Sequence, residues 1–193
     1  IERLQSSSCF AIYTFILNKK PTLPDVVMIE TTRLNLIPLS EFQLEKLLAQ
    51  PSHVEAEIGI HICKDIIAGR VEKAIMMKLD NMKTAPLIHH EWFTYWLLVI
   101  KSIPLGTGLL GYKGYPDENG TIEIGYGIDP EHRSKGYMTE AVRELISWAF
   151  RHPECLRIVA PKTLKSNPAS NRVLEKSGMQ IFEETKEARS WQL

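Results

Sequence analysis

The sequence has no excess of either charge: 23 lysines and arginines balance 23 aspartates and glutamates over 193 residues. Net charge therefore gives no support to a nucleic-acid or anionic-membrane partner, and leaves a small or locally acidic substrate open. Cysteine is scarce. Cys9, Cys63 and Cys155 are odd in number and lack CxxC spacing, which argues against a disulfide framework or a zinc knuckle and fits a reducing cytoplasm. The six histidines include the pair His89 and His90 but no HxxxH or Cys/His cluster, so no metal site is expected. Cys155 follows His152 by three positions; a thiol nucleophile there competes with the plainer reading of a small core residue opening an apolar run. The apolar stretch from Cys9 to Leu17 falls far short of the ~20 residues that span a bilayer. A secretory leader wants a basic start, whereas Glu2 and Arg3 cancel and no small-residue cleavage site follows. Internal repeats and low-complexity tracts are missing as well.

The length suits one domain with a substantial core. Met28 opens a run that reads as a natural start followed by a strand, so residues 1–27 are read as an N-terminal extension and 28–193 as the domain. Leu34, Leu36 and Leu39 suggest an edge strand over 33–39, and Ser40 caps a helix reaching about Ala49. From Asp65 to about Leu79 the apolar spacing is helical. Trp92 to Ile100, Leu105 to Tyr112 and Thr121 to Ile128 read as three strands joined by turn chemistry, an antiparallel meander. Met138, Ala141, Val142, Leu145, Ile146, Trp148 and Ala149 recur at helical spacing. A short apolar run, Leu156 to Ala160, lies between Pro153 and Pro161 and is expected to pair in parallel with 121–128 through that helix. Asn167 and Pro168 start a further helix and Gly178 ends it; 179–185 and 190–193 complete a terminal hairpin.

The segment from Glu123 to Ala141 carries the chemistry: a strand runs through a short loop into a long helix. Unpaired N–H groups at a helix start converge on a bound anion, and the helix dipole adds to their pull. Gly136 allows close approach of the main chain, while Arg133 and Lys135 place charge at the rim. The glycine spacing and ending of a Walker loop are absent, as is the three-glycine dinucleotide fingerprint. On the strand, period-two alternation sets Ile122, Ile124, Tyr126 and Ile128 on one face and Glu123, Gly125 and Gly127 on the other. Glycines there permit a bulge or a close ligand approach.

Arg133, Ser134, Lys135, Gly136, Tyr137 and Met138 resemble the pyrophosphate loop of the GNAT N-acetyltransferase superfamily, whose pattern is Gln or Arg, two residues, Gly, one residue, then Gly or Ala; Thr139, Glu140 and Ala141 match its usual continuation. A second block, Asn167 to Met179, is similar to the family's next helix and stands at the expected distance. The resemblance extends over about 28–193 and is closest to the ribosomal-protein N-terminal (Rim-type) branch. It departs at Met138, where Gly or Ala is usual. It implies a single α/β domain, a mixed twisted sheet of six or seven strands flanked by about four helices, with two central parallel strands splayed around the cofactor.

The same resemblance implies acetyl-coenzyme A as acetyl donor and no metal. Its pyrophosphate would meet Arg133, Ser134, Lys135, Gly136, Tyr137, Met138 and Thr139, its pantetheine arm the main chain of Tyr126, Gly127 and Ile128, with Asn167 and Asn171 positioning it. Glu123 is the candidate base, against a strand charge merely paired to a neighbour. Ser170 is the candidate donor to the departing thiolate, against local capping, with Tyr126 and Tyr137 as alternative donors. The expected reaction is direct attack of a neutral primary amine on the thioester through a tetrahedral intermediate. A protein N-terminal α-amine is the leading acceptor; a polyamine, amino sugar or antibiotic is the enzyme alternative, and a non-catalytic coenzyme A-binding sensor the alternative of another class. The expected setting is cytoplasmic, as monomer or homodimer, without nucleic acid or membrane.

Overall fold

In the computed structural model, residues 28–67 and 69–193 are described; the extension expected over 1–27 lies outside them. One strand organises the molecule. β4 (Trp96–Ile100) is buried along its whole length, because its side chains alternate between two apolar clusters: Trp96, Leu98 and Ile100 enter one, Leu97 and Val99 the other. β2 (Leu34–Pro38) and β5 (Leu105–Tyr112) pair with it antiparallel on either side. β6 (Thr121–Ile128) continues the meander beyond β5.

The remaining strands are β1 (Ile29–Glu30), β3 (His61–Ile62), β7 (Arg157–Leu164), β8 (Gln180–Glu184) and β9 (Ala188–Gln192). The sheet runs β1-β2-β4-β5-β6-β7-β9-β8, with β3 on β5. The expected six or seven strands compare with nine among the described residues; β1 and β3 are two-residue pairings added to seven longer strands. One face is covered by α1 (Glu41–Ala49), α2 (Pro51–Ile58) and α3 (Arg70–Met82), the other by α5 (Tyr137–Ala149) and α6 (Pro168–Lys176). Ser40 caps α1 with a full capping box, and Asn167 caps α6 ahead of Pro168, as their sequences indicate. No helix among the described residues is long and apolar enough to cross a membrane.

Four segments depart from the sequence reading. The strand expected from Trp92 begins at Trp96, because His90–Phe93 forms a helical turn, α4. That turn puts Trp92 and Trp96, four residues apart, into the same cluster, with the Trp92 ring 4.5 Å from Trp148; tertiary packing overrides the strand propensity of an aromatic run. The helix expected over 65–79 is divided at Gly69 (φ 62°) into a 3₁₀ turn, Lys64–Ile67, and α3. Residues 51–58, unassigned from sequence, form α2, with Pro51 in its first turn. β7 does not stop before Pro161. It runs on to Leu164 because its pairing with β9 shifts between Ala160 and Thr163, so a bulge with Lys162 at φ 52° absorbs the missing N–H of the proline.

Candidate active site

β6 and β7 pair in parallel only from Thr121–Glu123 to Arg157–Val159. Beyond Glu123 the two strands separate, while β6 keeps an unbroken register with β5 as far as Ile128. The glycines of β6 therefore mark no bulge. A Cβ added at Gly127 meets nothing within 4 Å, so the strand's open face admits close approach. The separation opens a cleft of 690 Å³ lined by Tyr126, Gly127 and Ile128 on one side and by α6 on the other, within the ~300–1,000 Å³ usual for small-molecule sites.

The loop before α5 closes one end of this cleft. Ser134 and Gly136 both have positive φ, 60° and 81°, and Gly136 stands at the N-cap without a side chain to offer. The first-turn N–H groups of Tyr137, Met138 and Thr139 thus have neither intrahelical acceptor nor cap, and all three residues line the cleft. The positive end of the helix dipole points the same way. Met138 is 5% exposed and joins the core with Ile122, Ile124 and Leu145, so the bulky residue at a usually small position turns its side chain away. Space for it comes from Gly108, where an added Cβ would stand 3.4 Å from Met138 Cε and 2.7 Å from the Gly127 carbonyl oxygen.

Behind the loop, Arg33 donates from Nε to Glu140 Oε2 at 2.7 Å and from Nη1 to the Lys135 carbonyl at 3.0 Å, with its guanidinium 4.7 Å from the Tyr137 ring centroid. Thr31 and the Arg33 main chain also donate to Glu140. Partial burial works to raise the Glu140 pKa, but these hydrogen bonds and the Arg33 charge outweigh it and hold the carboxyl below its ordinary range. At the other side of the cleft Asn167 Oδ1 accepts from the Ser170 N–H at 3.1 Å. The Tyr126 hydroxyl lies 3.0 Å from Ser170 Oγ and donates to the Ser170 carbonyl at 3.1 Å. Burial pushes the Tyr126 pKa up to about 12, against a smaller opposing pull from Ser170, so this phenol keeps its proton at neutral pH.

The profile described as Acetyltransferase (GNAT) domain matches residues 33–180, a stretch holding the loop, the splayed strands and α6. The chain belongs to the GNAT acetyltransferase family. An uncharacterized N-acetyltransferase of Bacillus subtilis, YjdG, is 38% identical over 99 residues, 51% of this chain and 58% of its own length. The ribosomal-protein-serine acetyltransferase of Escherichia coli is 28% identical over 102 residues, 51% of this chain and 56% of its own. The chain thus spans little more than half the length of these curated relatives. Among solved structures, a GNAT-family acetyltransferase from Bacillus anthracis superposes with a TM-score of 0.59 at 19% identity, covering 86% of this chain and 97% of that one. The ribosomal L7/L12 alpha-N-protein acetyltransferase RimL, in complex with coenzyme A, superposes with a TM-score of 0.60 at 17% identity, with coverages of 86% and 97%.

This GNAT cleft brings together most residues singled out from sequence: Tyr126, Gly127, Ile128, Arg133, Ser134, Gly136, Tyr137, Met138, Thr139, Asn167 and Ser170 all line it. Three lie outside the lining. Lys135 is exposed and contributes its carbonyl to the Arg33 clamp. Asn171 is buried, donating to the carbonyls of Leu164 and Asn167 and accepting from Trp191 Nε1, which makes it a tie between α6, β7 and β9. Glu123 stands where β6 and β7 are still paired, and its carboxylate forms an ion pair with Lys113. The cleft also contains Asp65, Ile66, Val71, His132 and Ala169, Arg172, Val173 and Lys176. The last four recur at helical spacing on one face of α6, a signal present in the sequence; Asp65 and Ile66 come from the 3₁₀ turn and Val71 from α3, whose positions depend on long-range packing.

Proposed function

We propose that the protein is an N-acetyltransferase that moves the acetyl group of acetyl-coenzyme A to a primary amine, with a protein N-terminal α-amine as acceptor. The observation that carries this reading is the uncapped start of α5, with Ser134 and Gly136 both at positive φ, at the end of a cleft between two separating parallel strands. Membership of the GNAT family gives that geometry its chemical meaning. Similarity to a relative whose name specifies ribosomal-protein acetylation supports the acceptor class.

In this reading the N–H groups of Tyr137, Met138 and Thr139 hold the pyrophosphate, with Arg133, Lys135, Arg172 and Lys176 adding positive charge around it. The free edge of β6 at Tyr126, Gly127 and Ile128 holds the pantetheine amides, as an unpaired strand edge holds any extended chain, and Asn167 fixes the α6 start beside it. The bound donor supplies an activated acetyl thioester. Ser170 protonates the departing sulfur, and Tyr126, protonated and 3.0 Å away, orients the Ser170 hydroxyl. Glu123, on the opposite face of β6, takes the amine proton through water. An α-amine of pKa ~7.8 is neutral in roughly a third of molecules near pH 7.4, against about one in a thousand for a lysine of pKa ~10.4, so a carboxylate outside the cleft suffices for the former.

The deciding experiment measures thiol release from acetyl-coenzyme A over a panel of peptides with free or blocked N-termini, lysine peptides and polyamines. Turnover confined to free α-amines is expected. Turnover on polyamines alone would transfer the acceptor assignment to small amines, and tight coenzyme A binding without turnover on any amine would leave a sensor. Calorimetry separates the donor assignment from the acceptor: coenzyme A is expected to bind far more tightly than adenosine, and equal binding would reject the loop as a pyrophosphate site.

A further inference from the structure

β5 offers one edge to two strands in succession. β6 occupies it from Tyr112 back to Gly108, then leaves, with the Asp129 N–H donating to the Thr107 carbonyl at 2.8 Å. β3 takes over the same edge at Leu105 and Gly106, and the Cys63 N–H donates to the Gly106 carbonyl, also at 2.8 Å. Two segments far apart in sequence are thereby pinned to adjacent carbonyls of one strand. Asp129 then caps the 3₁₀ turn Pro130–His132, accepting through Oδ2 from the Glu131 N–H at 3.1 Å and lying 2.7 Å from His132 Nδ1. The result is a thiol, a carboxylate and an imidazole with one ligand atom of each within 4.8 Å of the others. The Asp129 and His132 side chains are only 8% and 11% exposed.

The surroundings decide what such a cluster does. The carboxylates of Asp129, Glu131 and Asp65 surround the Cys63 thiol with negative charge, and that neighbourhood attracts a cation. One sulfur, one imidazole nitrogen and one carboxylate oxygen suit a borderline metal of the zinc class and not calcium or magnesium, which take oxygen donors. Three protein ligands also leave a fourth position open.

We propose that Cys63, Asp129 and His132 form a binding site for one zinc-class divalent cation at the rim of the donor cleft, where His132 also lines the cleft wall. On binding, the metal replaces the thiol proton of Cys63, which passes to solvent. The site rests on these three side chains alone and is independent of the acyl-transfer reading.

The test titrates the full chain, kept reduced, with cobalt(II). One equivalent is expected to bind with a thiolate-to-metal charge-transfer absorption that zinc then displaces. Cys63→Ser is expected to abolish that absorption, and His132→Gln to weaken binding about 10- to 100-fold, while Cys9→Ala and Cys155→Ala leave it unchanged. A charge-transfer band that survives Cys63→Ser, or the absence of saturable binding, overturns the proposal. A second measurement uses the unaltered protein, so a variant that fails to fold does not blunt the test: zinc is expected to slow alkylation of Cys63 at least tenfold, and equal labelling with and without zinc overturns the proposal as well.

Discussion

Ser170 and Tyr126 present two hydroxyls 3.0 Å apart on facing walls of the cleft, and their chemistry differs from that of Glu123 at the far side of the strand. If the first two serve the leaving group, Ser170→Ala slows turnover at every pH, with little change in coenzyme A affinity. Glu123→Gln removes a proton acceptor of nearly the same size, so turnover at neutral pH falls about 10- to 10³-fold and recovers in part at alkaline pH. Because burial raises the Tyr126 pKa to about 12, the phenol stays protonated up to at least pH 10. The wild-type rate is therefore expected to climb through the α-amine pKa and then hold, with no alkaline fall below pH 10. Rate–pH profiles of wild type and both variants on one amine check all three outcomes, and wild-type profiles for both variants would remove these residues from the mechanism. At the loop, Gly136→Val forces a β-branched side chain into a left-handed conformation and a Cβ to 3.3 Å from Arg33 Nη2. Coenzyme A affinity measured by calorimetry is expected to weaken by roughly 1–3 kcal/mol.

At the scale of elements, legibility followed locality. α5 was readable because seven apolar residues repeat at helical spacing, and all seven are buried; α6 was readable because its cap, its proline and the glycine after it act within one turn. The cleft loop was legible through its resemblance to a known motif, since one glycine beside basic residues says little alone. The segments that misled depended on distant partners: His90–Phe93 is helical because Trp92 finds Trp148, and β7 passes Pro161 because it bulges there and resumes its pairing with β9 at Thr163. The Arg33 clamp on the loop gave no local signal for the same reason, Arg33 and Glu140 being joined only by folding. It is testable. Arg33→Ala removes an ion pair that is half exposed, together with the bond to the Lys135 carbonyl, and is expected to weaken coenzyme A binding by about 1 kcal/mol, roughly fivefold. Glu140, whose folded pKa is depressed, contributes stability that is full above its unfolded pKa of ~4.3 and is lost as pH falls through the lower folded value. The variant is therefore expected to show a shallower loss of stability between pH 5 and pH 3 in denaturant titrations.

For the whole molecule, the two apolar clusters on either face of the sheet are joined at one buried charge. Lys78 of α3, 7% exposed, donates to the carbonyls of Phe93, Thr94 and Tyr112 at 3.1, 2.9 and 2.6 Å, and sits 4.5 Å from the Tyr95 ring centroid. It ties a helix of one layer to the end of α4, the entrance of β4 and the end of β5. Burial, and after it the charge of Lys113, lowers its pKa to about 7. In the unfolded chain the same amine titrates near ~10.4. Between these values the unfolded state binds more protons than the folded one, so this residue makes stability rise with pH, by at most ~1.4 kcal/mol per unit. Below pH 7 it is protonated in both states and contributes no slope. The three carbonyls temper the rise, because only an ammonium has three protons to donate and the neutral amine must release one acceptor. Lys78→Met keeps the aliphatic stem and removes both the charge and the donors, leaving carbonyls unpaired in the core; at pH 7 it is expected to cost roughly 1–3 kcal/mol. The decisive readout is the difference between wild type and variant, which cancels the titration of every other group. Urea denaturation at pH 7, 8 and 9 is expected to show that difference widening in favour of wild type by up to about 1 kcal/mol per unit. Parallel stabilities across that range would mean that Lys78 stays charged in the folded protein, held by its three carbonyls against the cost of burial.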